Sequence, residues 1–185
     1  MKNKGKITLI TGGVRSGKSE FAESLLENEE SVLYIATAKI TDHEMEHRAE
    51  KHKQRRSASW KTYEGYMDLG AVIKNYKEKN ILLDCVTTTI TNLMFHKEID
   101  YENITEEELD RILEGIKKQF NNLIISSTHE NKNIILVTNE VGYGVVPPYK
   151  LGRIFRDFQG TINKFIASLS DEVYLVACGI PLKIK

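Results

Sequence analysis

Apolar residues fall along the chain in short unbroken runs, separated by longer stretches in which they recur every three or four positions. The runs KITLIT (6–11), SVLYIAT (31–37), ILLDCV (81–86), NIILVTN (133–139) and EVYLVA (172–177) have the length of strands and do not alternate with polar residues. Strands of that kind are buried on both faces, so the pattern predicts a mainly parallel sheet covered by helices. The closing LKIK offers one further strand, read as antiparallel. Helical spacing appears near 18–29, 41–56, 86–96, 105–127 and 150–169. The last is the clearest, because Leu151, Ile154, Phe155, Phe158, Ile162, Phe165, Ile166 and Leu169 form one stripe and are assigned to the core. Arg153, Arg156 and Asn163 fall opposite it, on what reads as a solvated face. With no repeat and no Pro/Ser-rich linker, residues 1–185 are expected to form one α/β domain.

Composition narrows the function. A chain of 185 residues suits one domain with a real core. The 26 basic and 26 acidic residues balance, which speaks against a nucleic-acid surface and for a small partner. No run approaches the roughly 18 apolar residues of a membrane span, so no stable membrane insertion is expected, and the chain is read as cytoplasmic. Cys85 and Cys178 lie far apart, in or beside apolar runs, and are read as two buried thiols of a reducing compartment.

Between the first strand and the first helix, Gly12, Gly17, Lys18 and Ser19 satisfy G-x-x-x-x-G-K-[ST]. In that setting the residues from Gly12 through Gly13, Val14, Arg15 and Ser16 to Gly17 form a loop whose amides converge on phosphate oxygens. Lys18 is suited to reach the β and γ phosphates, and Ser19 to hold Mg²⁺. A metal site of this kind needs a carboxylate at the end of a neighbouring strand. Asp84, closing ILLD, is one candidate and Glu140, closing NIILVTNE, is the other. Asp84 could instead cap the following helix, and either acid could be purely structural.

The segment TDHEMEHRAEKHKQRRSASW (41–60) holds three of the five histidines. His43, Glu44 and His47 spell H-E-x-x-H, a zinc-hydrolase signature, with Glu64 as the candidate third ligand. Asp42, Glu46 and Arg48 crowd that motif, and a charged solvated face explains it better. His52 differs, since it follows Met45 and Ala49 along the segment's only apolar stripe and so faces the protein, with Arg56 near the same stripe. Among Lys51, Lys53, Arg55 and Arg56, such an imidazole suits a phosphate contact or a nucleophile forming a phosphoramidate; a structural histidine is the alternative. The loop NEVGYGVVPPYK follows the 133–139 strand with Gly142, Gly144, Pro147 and Pro148, and reads as a ligand-contacting lid or a stiff connector.

Taken together, TGGVRSGKSEFAE, VLYIATA, DHEMEHRAEKHKQRR with SASW, LLDCVTTTITNLMF, ILVTNEVGYGVVPPYKLGRIFRDFQGTINKFIA and VYLVACGIPLKIK resemble the bifunctional adenosylcobinamide kinase and adenosylcobinamide-phosphate guanylyltransferase family nearly end to end. The resemblance implies a P-loop NTPase fold, RecA-like, with helices on both faces of the sheet. It implies phosphorylation of adenosylcobinamide by ATP or GTP, then transfer of GMP from GTP to the phosphate, with Mg²⁺ as cofactor. It carries the guanylylated histidine onto His52, although relatives often have two adjacent histidines where this chain has Lys51-His52. It also places Thr37, Ala38, Lys39, Lys53, Gln54, Arg55, Arg56, Glu64 and Asp84 at the GTP site beside the P-loop, and it implies a homo-oligomer, a trimer, which gives Arg153, Arg156 and Asn163 a sharper reading as an intersubunit contact or a phosphate site shared with a neighbour. A kinase without the transfer step and a GTP-dependent switch are the competing functions, the latter weakened by the lack of an N-K-x-D motif.

Overall fold

The computed structural model describes residues 4–38, 43, 50 and 56–185. Strand β1 (Ile7–Gly12) runs through the glycine loop into α1 (Lys18–Ser24), and β2 (Val32–Ala36) follows. Beyond residue 56 come β3 (Lys61–Glu64), α2 (Leu69–Val72) with a 3-10 turn (Ile73–Asn75), β4 (Asn80–Asp84), α3 (Val86–Met94) and α4 (Glu106–His129). The chain then forms β5 (Asn133–Asn139), α5 (Lys150–Leu169), β6 (Glu172–Ala177) and β7 (Ile180–Lys183). Most of the helix expected over 41–56 lies outside the described residues.

The strands build one sheet in the order β3-β2-β4-β5-β1-β6-β7. The first six are parallel and β7 alone is antiparallel, paired with β6. Parallel neighbours cannot be joined by tight turns, so helices fill the crossovers and cover the sheet. The result is a mainly parallel sheet with helices on both faces, as the uninterrupted apolar runs predict, in the RecA-like P-loop arrangement that the family resemblance implies. Alternate residues of each strand enter opposite layers. On one face, Ile7, Leu9, Leu33, Ile35, Ile81, Leu83, Ile134 and Leu136 meet Ile90 of α3, Phe120 and Leu123 of α4, and Phe158 and Ile162 of α5. On the other face, Ile10, Val32, Tyr34, Leu82, Ile135 and Val137 pack against Ala22 of α1 and Leu26 just beyond it. Each fully buried aliphatic side chain contributes roughly 1.5–3 kcal/mol relative to an exposed one, so the two layers together hold the strand ends in fixed register.

Local signals set the element boundaries. Thr105 accepts the Glu108 amide at 3.3 Å, while the Glu108 carboxylate accepts the Thr105 amide at 3.0 Å. That reciprocal cap starts α4, with three glutamates in its first turn. The β6–β7 hairpin turns through Cys178 (φ 52°) and Gly179 (φ 80°), two successive left-handed residues as a tight hairpin requires.

Several expectations need correction. Cys178 is exposed in that turn rather than buried, and Cys85 is half-buried, both as free thiols. Helix α1 ends at Ser24, short of the 18–29 expected. Strand β3 is an addition: KTYE is mostly exposed at the sheet edge, so it lacks the apolar run that marks the inner strands. Asn163 is buried rather than solvated.

Candidate active site

The parallel register aligns the strand ends that matter. Gly12 lies opposite Asn139 and Val176, and Ala36 opposite Asp84 and Glu64, so the P-loop and the acids share the carboxyl edge of the sheet. Ligands bind at this edge in open α/β sheets.

Two motif glycines are required by geometry. A Cβ on Gly12 would stand 2.4 Å from the Val176 carbonyl oxygen and 2.6 Å from Ser16 Oγ. Gly17 has φ +93°, a conformation that costs other residues strain. Arg15, at φ 57°, adds a second left-handed turn to the loop. The Gly179 amide donates to the Ser16 carbonyl at 2.9 Å, bracing the loop against the β6–β7 turn. Gly13, Val14 and Arg15 are exposed, whereas Ser16 and Lys18 are buried. The Lys18 ammonium donates to the Gly13 carbonyl at 2.7 Å, folding the side chain across the loop. Burial holds its pKa below the ordinary lysine value, with the charges of Asp84 and Glu20 acting in the opposite sense. Among the described residues, Ser16 Oγ and Thr11 Oγ1 are buried without a hydrogen-bond partner, beside a loop built to surround oxyanions.

Asp84 is half-buried, and its Oδ2 accepts a hydrogen bond from the Tyr34 hydroxyl at 3.1 Å. It does not cap α3. That position belongs to Cys85, whose Sγ accepts the Thr88 amide at 3.5 Å, and burial pushes the thiol's pKa up. The Arg56 guanidinium lies over the Tyr34 ring, 3.6 Å from its centroid. Tyr34 is a residue that sequence reasoning missed, because it sits inside an apolar run and reads as core. The only signal was its place on β2, two residues before the position that aligns with Asp84.

Thr37 is a staple between strands. Its hydroxyl donates to the Cys85 carbonyl at 2.8 Å and accepts the Cys85 amide at 2.9 Å. Its own amide donates to the Asp84 carbonyl at 3.1 Å, and its carbonyl accepts from Asn92 at 2.7 Å. Ala38 and Glu64 are exposed at the same edge, and Ser19 is half-buried in the first turn of α1. Lys39, His52, Lys53, Gln54 and Arg55 lie outside the described residues, as do Glu44 and His47 of the H-E-x-x-H motif.

Glu140 turns to its own loop, where Oε1 accepts the Gly142 amide at 2.7 Å. The start of that loop is fixed by a polar cluster in which Thr138 donates to Asn163 at 2.7 Å and Asn163 donates to the Asn139 carbonyl at 3.0 Å. Gln159 donates to both Thr138 and Asn163, at 2.9 and 2.8 Å. Arg153 reaches the carbonyls of Pro147 and Pro148 at 3.1 and 2.8 Å, pinning the other end. Between these anchors Tyr143 and Val145 are 85% and 95% exposed.

Comparison with known proteins adds the family. A model described as cobinamide kinase / cobinamide phosphate guanyltransferase matches residues 8–184. The chain belongs to this family. It is 42% identical over 179 residues to the bifunctional adenosylcobalamin biosynthesis protein CobU of Escherichia coli (strain K12), covering 96% of this chain and 98% of that one. The CobU of Salmonella typhimurium is 42% identical over 180 residues, with the same coverage of 96% and 98%. The CobP of Pseudomonas aeruginosa is 36% identical over 180 residues, covering 96% of each chain. As a member of the cobinamide kinase / guanyltransferase family, the protein is a bifunctional transferase of cobalamin biosynthesis that uses nucleoside triphosphates. Among the described residues, no helix is long and apolar enough to cross a membrane.

Proposed function

We propose that the protein phosphorylates adenosylcobinamide at the P-loop and then transfers GMP from GTP to the resulting phosphate through a guanylylated His52. The observation that carries this reading is Arg56. It lies four residues after His52 in the chain, and its guanidinium stacks on the tyrosine that holds Asp84, which supports a role for the His52 segment at the phosphate site.

In the kinase step Lys18 and the loop amides grip the β and γ phosphates while the acceptor hydroxyl attacks the γ-phosphorus; an O–P bond forms, the β–γ P–O bond breaks, the nucleoside diphosphate leaves, and the hydroxyl proton is released to solvent. In the transfer step the neutral imidazole of His52 attacks the α-phosphorus of GTP; an N–P bond forms, the α–β P–O bond breaks, and pyrophosphate leaves toward Lys18. A phosphate oxygen of adenosylcobinamide phosphate then displaces the histidine, giving adenosylcobinamide-GDP. Ser19 and Asp84 fit Mg²⁺: a hydroxyl in the first turn after the loop and a carboxylate whose charge reaches Lys18 are the donors this ion takes. Bound there, the ion would neutralise charge on the phosphate oxygens. Asp84 suits this better than Glu140, because its charge acts on Lys18, whereas Glu140 turns to the Gly142 amide of its own loop.

Lys39, Lys53, Gln54, Arg55, Arg56 and Glu64 are assigned to the GTP site with the loop residues. The exposed Tyr143 and Val145, between two anchored loop ends, support a corrinoid-contacting lid. A trimeric enzyme of the cytoplasm is part of the same reading, the trimer resting on the family resemblance.

Incubation with GTP labelled at the α-phosphate should give an acid-labile, alkali-stable protein adduct that His52→Ala abolishes. Label retained by that variant would contradict the assignment to His52.

A further inference from the structure

Tyr34 joins two parts of the site that the sequence keeps apart. Its side chain is 4% exposed and packs on the α1 face of the sheet. The hydroxyl donates to Asp84 at 3.1 Å, and the opposite contact is the ring, which carries the Arg56 guanidinium at 3.6 Å. A carboxylate held by such a donor has one favoured orientation, and a guanidinium stacked on a buried ring has a fixed position.

We propose that Tyr34 is a positioning residue for both half-reactions: its hydroxyl orients Asp84 at the phosphate site, and its ring seats Arg56 and thereby the end of the segment that bears His52. The ring's part in this rests on the guanylyl-histidine reading above, whereas the hydroxyl's part does not. The two functions are separable by substitution. Tyr34→Phe keeps the ring and removes the hydroxyl, Tyr34→Leu removes both, and Arg56→Ala removes the stacked cation while leaving Tyr34 intact.

The test measures kinase turnover, single-turnover adduct formation from α-labelled GTP, and the affinity of the Mg²⁺–nucleotide complex, with thermal unfolding followed for every variant. Loss of a hydrogen bond to a charged group predicts that Tyr34→Phe lowers both rates by about tenfold and weakens Mg²⁺–nucleotide binding, with the ratio of the two rates preserved. Loss of the cation–ring contact predicts that Tyr34→Leu and Arg56→Ala lower that ratio by a further factor of about five, adduct formation falling more than kinase turnover. The same ratio in all three variants would overturn the coupling, and unchanged Mg²⁺–nucleotide affinity in Tyr34→Phe would overturn the role at Asp84. If the unsubstituted protein forms no adduct, the guanylyl-histidine reading falls and takes the ring's role with it, while the Asp84 result still stands or falls on nucleotide affinity.

Discussion

The two edges of the sheet are built to opposite ends. At the amino edge, charged and polar groups satisfy one another: Glu172 pairs with Lys6 at 2.8 Å and Lys183 at 2.6 Å, and Asn133 donates to Asn80, which donates to Glu29. Lys132, 3% exposed, donates to the Ile73 carbonyl at 2.8 Å and also to that of Tyr76. At the carboxyl edge, Lys18 is desolvated over its own loop, Ser16 Oγ is buried and unpartnered, and Tyr143 and Val145 stand in solvent. The amino edge spends its polar groups on the fold, whereas the carboxyl edge, besides structural contacts such as those of Thr37 and Asn163, also holds groups suited to phosphate. Polar groups at the amino edge should therefore govern stability, and those at the carboxyl edge activity.

The largest expected effect is at the carboxyl edge. If Asp84 holds Mg²⁺ as proposed, Asp84→Asn should lower kinase turnover by about a hundredfold, through weakened metal binding, with a melting temperature close to that of the unsubstituted protein. A drop in stability matching the loss of rate would blur the contrast between the edges. Next comes Lys132→Met, which deletes a buried charged donor and leaves two carbonyls without it. It should cost about 1.5–3 kcal/mol in denaturant unfolding, while turnover of the folded protein is retained.

The smallest effect is expected from Glu172→Gln. Hydrogen bonds from Lys183 and Lys6 depress the Glu172 carboxyl to about 2. A depressed carboxyl contributes stability above its unfolded value of roughly 4.3 and loses it as pH falls through the folded value. The substitution should flatten the acid limb of the stability curve between those values, with a modest amplitude because both lysines are half-exposed. Equal acid sensitivity in the two proteins would show that the pair contributes nothing measurable.

How legible each part was in the sequence follows from what fixed it. The inner strands and α5 were readable because burial on both faces, or on one helical stripe, imposes an apolar pattern on the chain itself. The P-loop was readable because Gly12 and Gly17 are demanded by a close approach and a left-handed backbone. Strand β3 was hidden, since an exposed edge imposes no such pattern. Tyr34 and Asn163 were hidden for the converse reason. Their polar atoms meet partners on other elements, Asp84 and Thr138, and such contacts leave no periodic trace. Cys178 misled because its neighbours are strand residues, whereas it occupies the turn itself.

In the proposed mechanism one phosphate grip serves both reactions, presenting the γ-phosphoryl in the first and receiving pyrophosphate in the second. Lys18→Ala, assayed in parallel for phosphorylation of the corrinoid and for adduct formation from α-labelled GTP, tests it most directly. The account predicts that both rates fall together, by about a hundredfold or more. Adduct formation at the unsubstituted rate, with the kinase reaction lost, would contradict it.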